Sequence, residues 1–160
     1  MDDEAFREGP ATRTVWVSMP ITYTMIEGAR GVVYARATGV LDDAAFLAHE
    51  QALLEDARIK PGFRQLLDLR WVSADRISEG VIEPLLSLHR LYRDKLACSH
   101  YAIVALDSLW FRLGARYSQL NERVSMIVFN EPTTACIWLG IDPKLPECQI
   151  QSMPSLMGVC

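Results

Sequence analysis

Between Ile21 and Gly140, short runs of β-branched and aromatic residues alternate with longer runs whose apolar residues recur at helical spacing, and this alternation restricts the fold most. The first two runs, ITYTMIE (21–27) and GVVYARATG (31–39), flank Gly28 and predict a β-hairpin. Asp42 and Asp43 then stand where helix N-caps belong, ahead of AAFLAHEQALLEDARI, in which Phe46, Leu53 and Ala57 share a stripe. Lys60, Pro61 and Gly62 stop that helix. In FRQLLDLRWV (63–72), Leu66, Leu67 and Leu69 lie too densely for a half-exposed ribbon. The run therefore suits the central strand of a sheet covered on both faces.

The loop SADRISEG (73–80) follows, and then a helix through PLLSLHRLYRDKLA (84–97), with Leu85, Leu88, Tyr92 and Leu96 on one side. Pro84 requires this helix either to start beside Glu83 or to bend there. HYAIVAL (100–106) reads as a strand. Asp107 or Ser108 caps the next helix, whose buried face is Trp110, Leu113, Gly114, Tyr117 and Leu120. VSMIVFN (124–130) is the last strand, and Asn130 caps EPTTACIWL (131–139), which Gly140 closes. The order β-β-α-β-α-β-α-β-α predicts an α/β fold: a sheet of about five strands, mainly parallel with an antiparallel edge hairpin, packed by about four helices through right-handed crossovers. The domain spans residues 21–141, between an acidic flexible tail (1–20) and an irregular, proline-containing tail (142–160).

A chain of 160 residues accommodates one such domain. Its net charge of −4 comes largely from Asp2, Asp3, Glu4 and Glu8 at the start, so the body is nearly neutral. That balance excludes a nucleic-acid binder relying on broad positive charge. The absence of an 18-residue apolar run excludes a membrane span. The acidic opening MDDEAFREGP lacks the basic-then-apolar plan of a secretory signal and predicts a cytoplasmic protein. Cys98, Cys136, Cys148 and Cys160 form no C-x-x-C pair and have no histidine at ligand spacing, so no metal site is expected. Cys98 and Cys136 read as small buried hydrophobes.

The phrases GVVYARATGVLDDAAF, LLEDARIKPGFRQLLDLRWV, SHYAIVALDSLWFRLGARY and VFNEPTTACIWLG, in this element order, resemble the SpoIIAA-like group of the STAS-like superfamily, small bacterial α/β proteins. The resemblance spans residues 21–141. Its better-understood members are anti-sigma-factor antagonists, in which a partner kinase phosphorylates the serine of an Asp-Ser-x-Gly pattern at a helix start. The matching stretch here is Ile77-Ser78-Glu79-Gly80, with Ile77 in place of the aspartate. The resemblance thus makes Ser78 the candidate phosphoacceptor, ahead of Ser73, and Asp75, Arg76, Glu79 and Gly80 its interaction surface. The local alternative for Ser78 is helix capping.

No G-x-S-x-G, H-E-x-x-H, G-x-G-x-x-G or P-loop is present, so no catalytic residue and no cofactor are assigned. His49 reads as a boundary residue of its helix. Neither His89 nor His100 has a visible carboxylate companion in the sequence. Arg58, Lys60, Arg64, Arg70 and Arg76 read as solvated charges that strand alternation sends to different faces, and Asp68 reads as structural. The expectation is a non-enzymatic regulatory or interaction module with an unidentified protein partner. The alternative is a carrier of an apolar or acyl small molecule in a pocket formed by Trp71, Tyr92, Trp110 and Tyr117. The hairpin edge and the C-terminal tail both offer surface for a homodimer.

Overall fold

In the computed structural model, which describes residues 20–145, the expected hairpin forms: β1 (Ile21–Met25) pairs antiparallel with β2 (Val32–Asp42), Ile21 opposite Ala37 and Met25 opposite Val33. The acidic tail, most of the C-terminal tail, and Cys148 and Cys160 lie outside the described residues. Asp42 caps α1 (Asp43–Glu55) by accepting a hydrogen bond from the Ala45 amide at 2.8 Å. The helix ends at Glu55, before the Lys60-Pro61-Gly62 break. There the Lys95 amine donates to the carbonyls of Leu54 and Asp56 and satisfies acceptors that a helix end leaves unpaired.

The strand read as central is central: the sheet order is β1-β2-β3-β4-β5, with β3 (Arg64–Arg76) parallel to both β2 and β4 (His100–Val104). It is longer than expected, because Ser73 to Arg76 continue the strand along β2 instead of forming a loop. β4 pairs with β3 only from Arg64 to Asp68, so the later part of β3 and the end of β2 run on together as a two-stranded ribbon. A 3₁₀ turn (Glu79–Val81) leads into α2 (Ile82–Leu91), with Pro84 in its first turn, where a missing amide costs no helical hydrogen bond. Residues 92–97, expected as helix, form turns with Cys98. Cys98 occupies a left-handed backbone (φ 60°) there and is exposed, not buried.

α3 (Ser108–Leu120) is capped by Asp107 and buries Trp110, Leu113, Gly114 and Tyr117, whereas Leu120 is half exposed. Gly114 has a steric reason: a Cβ there would stand 2.6 Å from Val128 Cγ2 on β5 (Ser125–Phe129), so the helix lies close against the strand. α4 (Pro132–Leu139) is capped by Glu131, whose carboxylate accepts from the Thr134 amide at 3.2 Å, in place of Asn130. Gly140 closes it in the left-handed conformation.

Successive parallel strands joined by right-handed crossovers place every crossover helix on one side. α1, α2 and α3 accordingly pack Phe46, Leu53, Leu85, Trp110 and Leu113 with Val33, Leu67, Leu69 and Ile103 of the sheet in the larger core. Each fully buried side chain of this kind contributes about 1.5–3 kcal/mol. On the other face α4 packs Ala135, Cys136 and Leu139 with Leu66, Ala102 and Val104. No helix among the described residues is long and apolar enough to cross a membrane.

Candidate functional site

The ribbon carries the chain past the end of β4 and presents residues 75–80 at the carboxyl end of β3, where open α/β sheets place their functional loops. Asp75, Arg76, Ser78, Glu79 and Gly80 are all exposed, while Ile77 turns inward and is 7% accessible. The position that holds aspartate in the Asp-Ser-x-Gly pattern therefore anchors the loop in the core.

A carboxylate reaches Ser78 from another element. Asp43, at the first position of α1, accepts the Ser78 amide at 2.8 Å and the Ser78 hydroxyl at 2.5 Å through its two oxygens. Asp42 caps the helix, so Asp43 is free for this bond across 35 residues of chain. The Ser78 hydroxyl also accepts from the Gly80 amide at 3.2 Å, so it caps the 3₁₀ turn as well. Arg76 lies opposite Asp42 in the β2–β3 ladder, and the Ser73 hydroxyl donates to Asp75 at 2.7 Å. The surroundings of Ser78 are thus acidic, with Arg76 the nearest cation in sequence. Asp43 left no local signal, because Asp42 and Asp43 both fitted the cap.

The four aromatic residues expected to form a pocket do not meet. Trp110 is buried against Phe46, with ring centroids 5.8 Å apart, and Tyr117 is buried on the same side of the sheet. Tyr92 is half-buried and donates to Glu55 at 3.2 Å. Trp71 stands 56% exposed on the opposite face, with the Arg36 and Arg70 guanidinium groups 5.4 and 5.7 Å from its ring centroid. The cause is a bulge: Arg36 pairs with Asp68 but Thr38 pairs with Trp71, and the extra residue in β3 reverses the alternation.

The basic residues are dispersed, as read. Arg58 chelates Asp56, Arg64 donates to the carbonyls of Leu139 and Arg30, and Arg70 pairs with Asp68 at 2.8 Å. Asp68 also accepts from the Tyr34 hydroxyl, which burial, aided by the Asp68 charge, pushes well above its ordinary range. His49 is buried and bonded to Gln65 at 3.1 Å, and desolvation lowers its pKa. His89 does have a carboxylate companion: its Nε2 is 3.3 Å from Glu50 of α1, and its Nδ1 is 2.5 Å from the Tyr117 hydroxyl of α3. Among the described residues, no group of three or more potential ligands could hold a metal ion.

A search of solved structures finds a crystal structure of an uncharacterized protein from the DUF3478 family with a SpoIIAA-like fold, from Shewanella loihica PV-4. The two superpose with a TM-score of 0.53 at 19% sequence identity, over 74% of this chain and 93% of that one. This chain has a SpoIIAA-like fold. No protein-family profile and no curated protein matches the sequence. Within the SpoIIAA-like architecture, then, the Ser78–Asp43 pair is placed by this chain's own residues, at the junction of the parallel sheet with its second crossover helix.

Proposed function

We propose that the chain is a non-enzymatic regulatory or protein-interaction module whose switch is Ser78, phosphorylated by a partner kinase. The observation that carries this reading is the exposed Ser78 hydroxyl held by the Asp43 carboxylate at 2.5 Å. Asp43 is placed to take the hydroxyl proton as the Ser78 oxygen bonds phosphorus and the nucleotide's terminal phosphoryl bond breaks. The product would carry about −1.5 to −2 charges where Asp43 now accepts a hydrogen bond, with Asp75 and Glu79 close in sequence. Repulsion then separates α1 from the β3–α2 junction, while the Gly80 amide and Arg76 remain to receive phosphate oxygens. Asp42, Asp43, Asp75, Glu79 and Glu83 favour a partner with a basic surface.

A carrier holding an apolar or acyl ligand among Trp71, Tyr92, Trp110 and Tyr117 has less support, since Trp71 lies on the opposite face of the sheet from the other three. The test of the switch is partner capture by wild type, Ser78→Ala and Ser78→Asp, with phosphopeptide mapping of the chain from its native cells. Phosphate on Ser78 and recovery that differs between Ser78→Ala and Ser78→Asp are expected. Equal recovery by all three proteins would overturn the reading.

A further inference from the structure

At the other end of α2 from Ser78, the last turns of α2 and α3 and the segments that follow them frame an open cleft of about 560 Å³. That volume is within the range of small-molecule sites. Leu86, Leu96 and Val124 lie almost wholly buried in its floor, and Leu120, which keeps half of its area in solvent, supplies the exposed apolar surface. Arg90, Arg93 and Arg123 surround it, with Glu122 the one acidic side chain on the rim. No carboxylate among the described residues lies within 4 Å of the Arg90 or Arg123 guanidinium, and Arg93 reaches only Asp94, at 3.7 Å.

A cation in the last turn of a helix offsets its carbonyl dipole, which is sufficient reason for Arg90. It is no reason for Arg123, which lies beyond α3, nor for leaving Leu120 uncovered between charges. The cleft is also stiffened from behind. Glu50 and Tyr117 hold His89, and Asn121 donates to the Tyr117 hydroxyl at 2.8 Å, so the polar lining residues His89 and Asn121 are fixed before any ligand arrives.

We propose that this cleft binds a small amphipathic carboxylate, its anionic head held by the arginines of the rim and its short hydrocarbon body laid on Leu120. A positive concavity with one exposed leucine, in a chain of net charge −4, selects such a molecule over a neutral hydrocarbon or a bare anion. The proposal is independent of Ser78: α2 alone spans about 15 Å between the two sites.

The test is an NMR titration of the full chain with octanoate, 1-octanol and acetate, repeated on Arg90→Gln/Arg123→Gln and on Leu120→Asp. Octanoate is expected to shift the amides of residues 86–96 and 119–124 saturably, more tightly than octanol or acetate. Its affinity should fall about tenfold in the double arginine variant, since each exposed charge pair contributes a factor of about two to five. Leu120→Asp should weaken it further. Both variants change exposed side chains, and an unchanged melting temperature establishes their folding. Absent binding, shifts centred elsewhere, octanol binding as tightly as octanoate, or equal affinity in the arginine variant would each overturn the proposal.

Discussion

Replacing Ser78 by aspartate places a second carboxylate against Asp43, and the cost can be worked from the geometry. The wild-type hydroxyl donates to a carboxylate at 2.5 Å, and hydrogen bonds to charged groups contribute about 1.5–3 kcal/mol. The site is exposed, so Ser78→Ala should cost about 1.5 kcal/mol for this bond, the lower end of that range, and about 1 kcal/mol more for the lost cap on the Gly80 amide. Asp43 still accepts the backbone amide at position 78 in the variant. Aspartate caps as well as serine does, so Ser78→Asp has no additional capping cost. It does add repulsion between unit charges about 4 Å apart, worth about 1 kcal/mol in water and about 4 at an effective dielectric of 20. The exposed location favours the smaller value, and Ser78→Asp should therefore cost about 2.5 kcal/mol. With Asp43→Asn in the background, the amide can donate to the new carboxylate, and the cost of Ser78→Asp should fall to about 1 kcal/mol. Urea unfolding of wild type, the single variants and the double variant closes the cycle, and the cost of Ser78→Asp should shrink in 0.5 M salt, where the Debye length is about 4 Å. If Asp43→Asn or 0.5 M salt leaves the cost of Ser78→Asp unchanged, the electrostatic basis of the switch is refuted.

Burial lowers the His49 pKa in the folded chain below the 6.5 of an unperturbed histidine, so the unfolded chain takes up the proton first as pH falls. Its contribution to stability is complete above pH 6.5 and is lost on acidification, with a slope of at most about 1.4 kcal/mol per pH unit. Denaturation midpoints from pH 7.5 to 5 should flatten in His49→Gln, and an unchanged slope would be contrary to this account. Gly114→Ala should destabilise by about 1 kcal/mol, as crowding against Val128 outweighs the gain in helix propensity, and the cost should disappear when Val128→Ala makes room. Arg64→Met removes donors to the Leu139 and Arg30 carbonyls and should cost about 1–2 kcal/mol, read as a lower urea midpoint at constant m-value.

The hairpin, the central position of β3 and the α3 face through Tyr117 were legible because each rests on residues close in sequence: alternating β-branched residues, three leucines in four positions, an aspartate ahead of a periodic stripe. Features set by distant partners were not. Ser73 to Arg76 have the composition of a loop and become strand only because β2 continues beside them. The bulge that turns Trp71 away from Trp110 likewise belongs to the pairing of β2 with β3, and no local pattern announces it. His89 looked isolated because Glu50 is 39 residues away and Tyr117 is 28.

The same reasoning alters the meaning of Ile77. In the Asp-Ser-x-Gly pattern the carboxylate precedes the serine, so an isoleucine there reads as a lost function. On the proposed reading the folded chain divides two requirements: Ile77 buries its side chain and fixes where the loop leaves the ribbon, while Asp43 brings the charge from another element. An aspartate at position 77 could contact Ser78 only within one loop. The Asp43 carboxylate instead ties the first turn of α1 to the start of α2, so on the proposed reading a phosphate on Ser78 acts on the contact between two helices. Ile77→Asp should consequently destabilise the fold by burying an unpaired charge without restoring any function that Asp43→Asn removes.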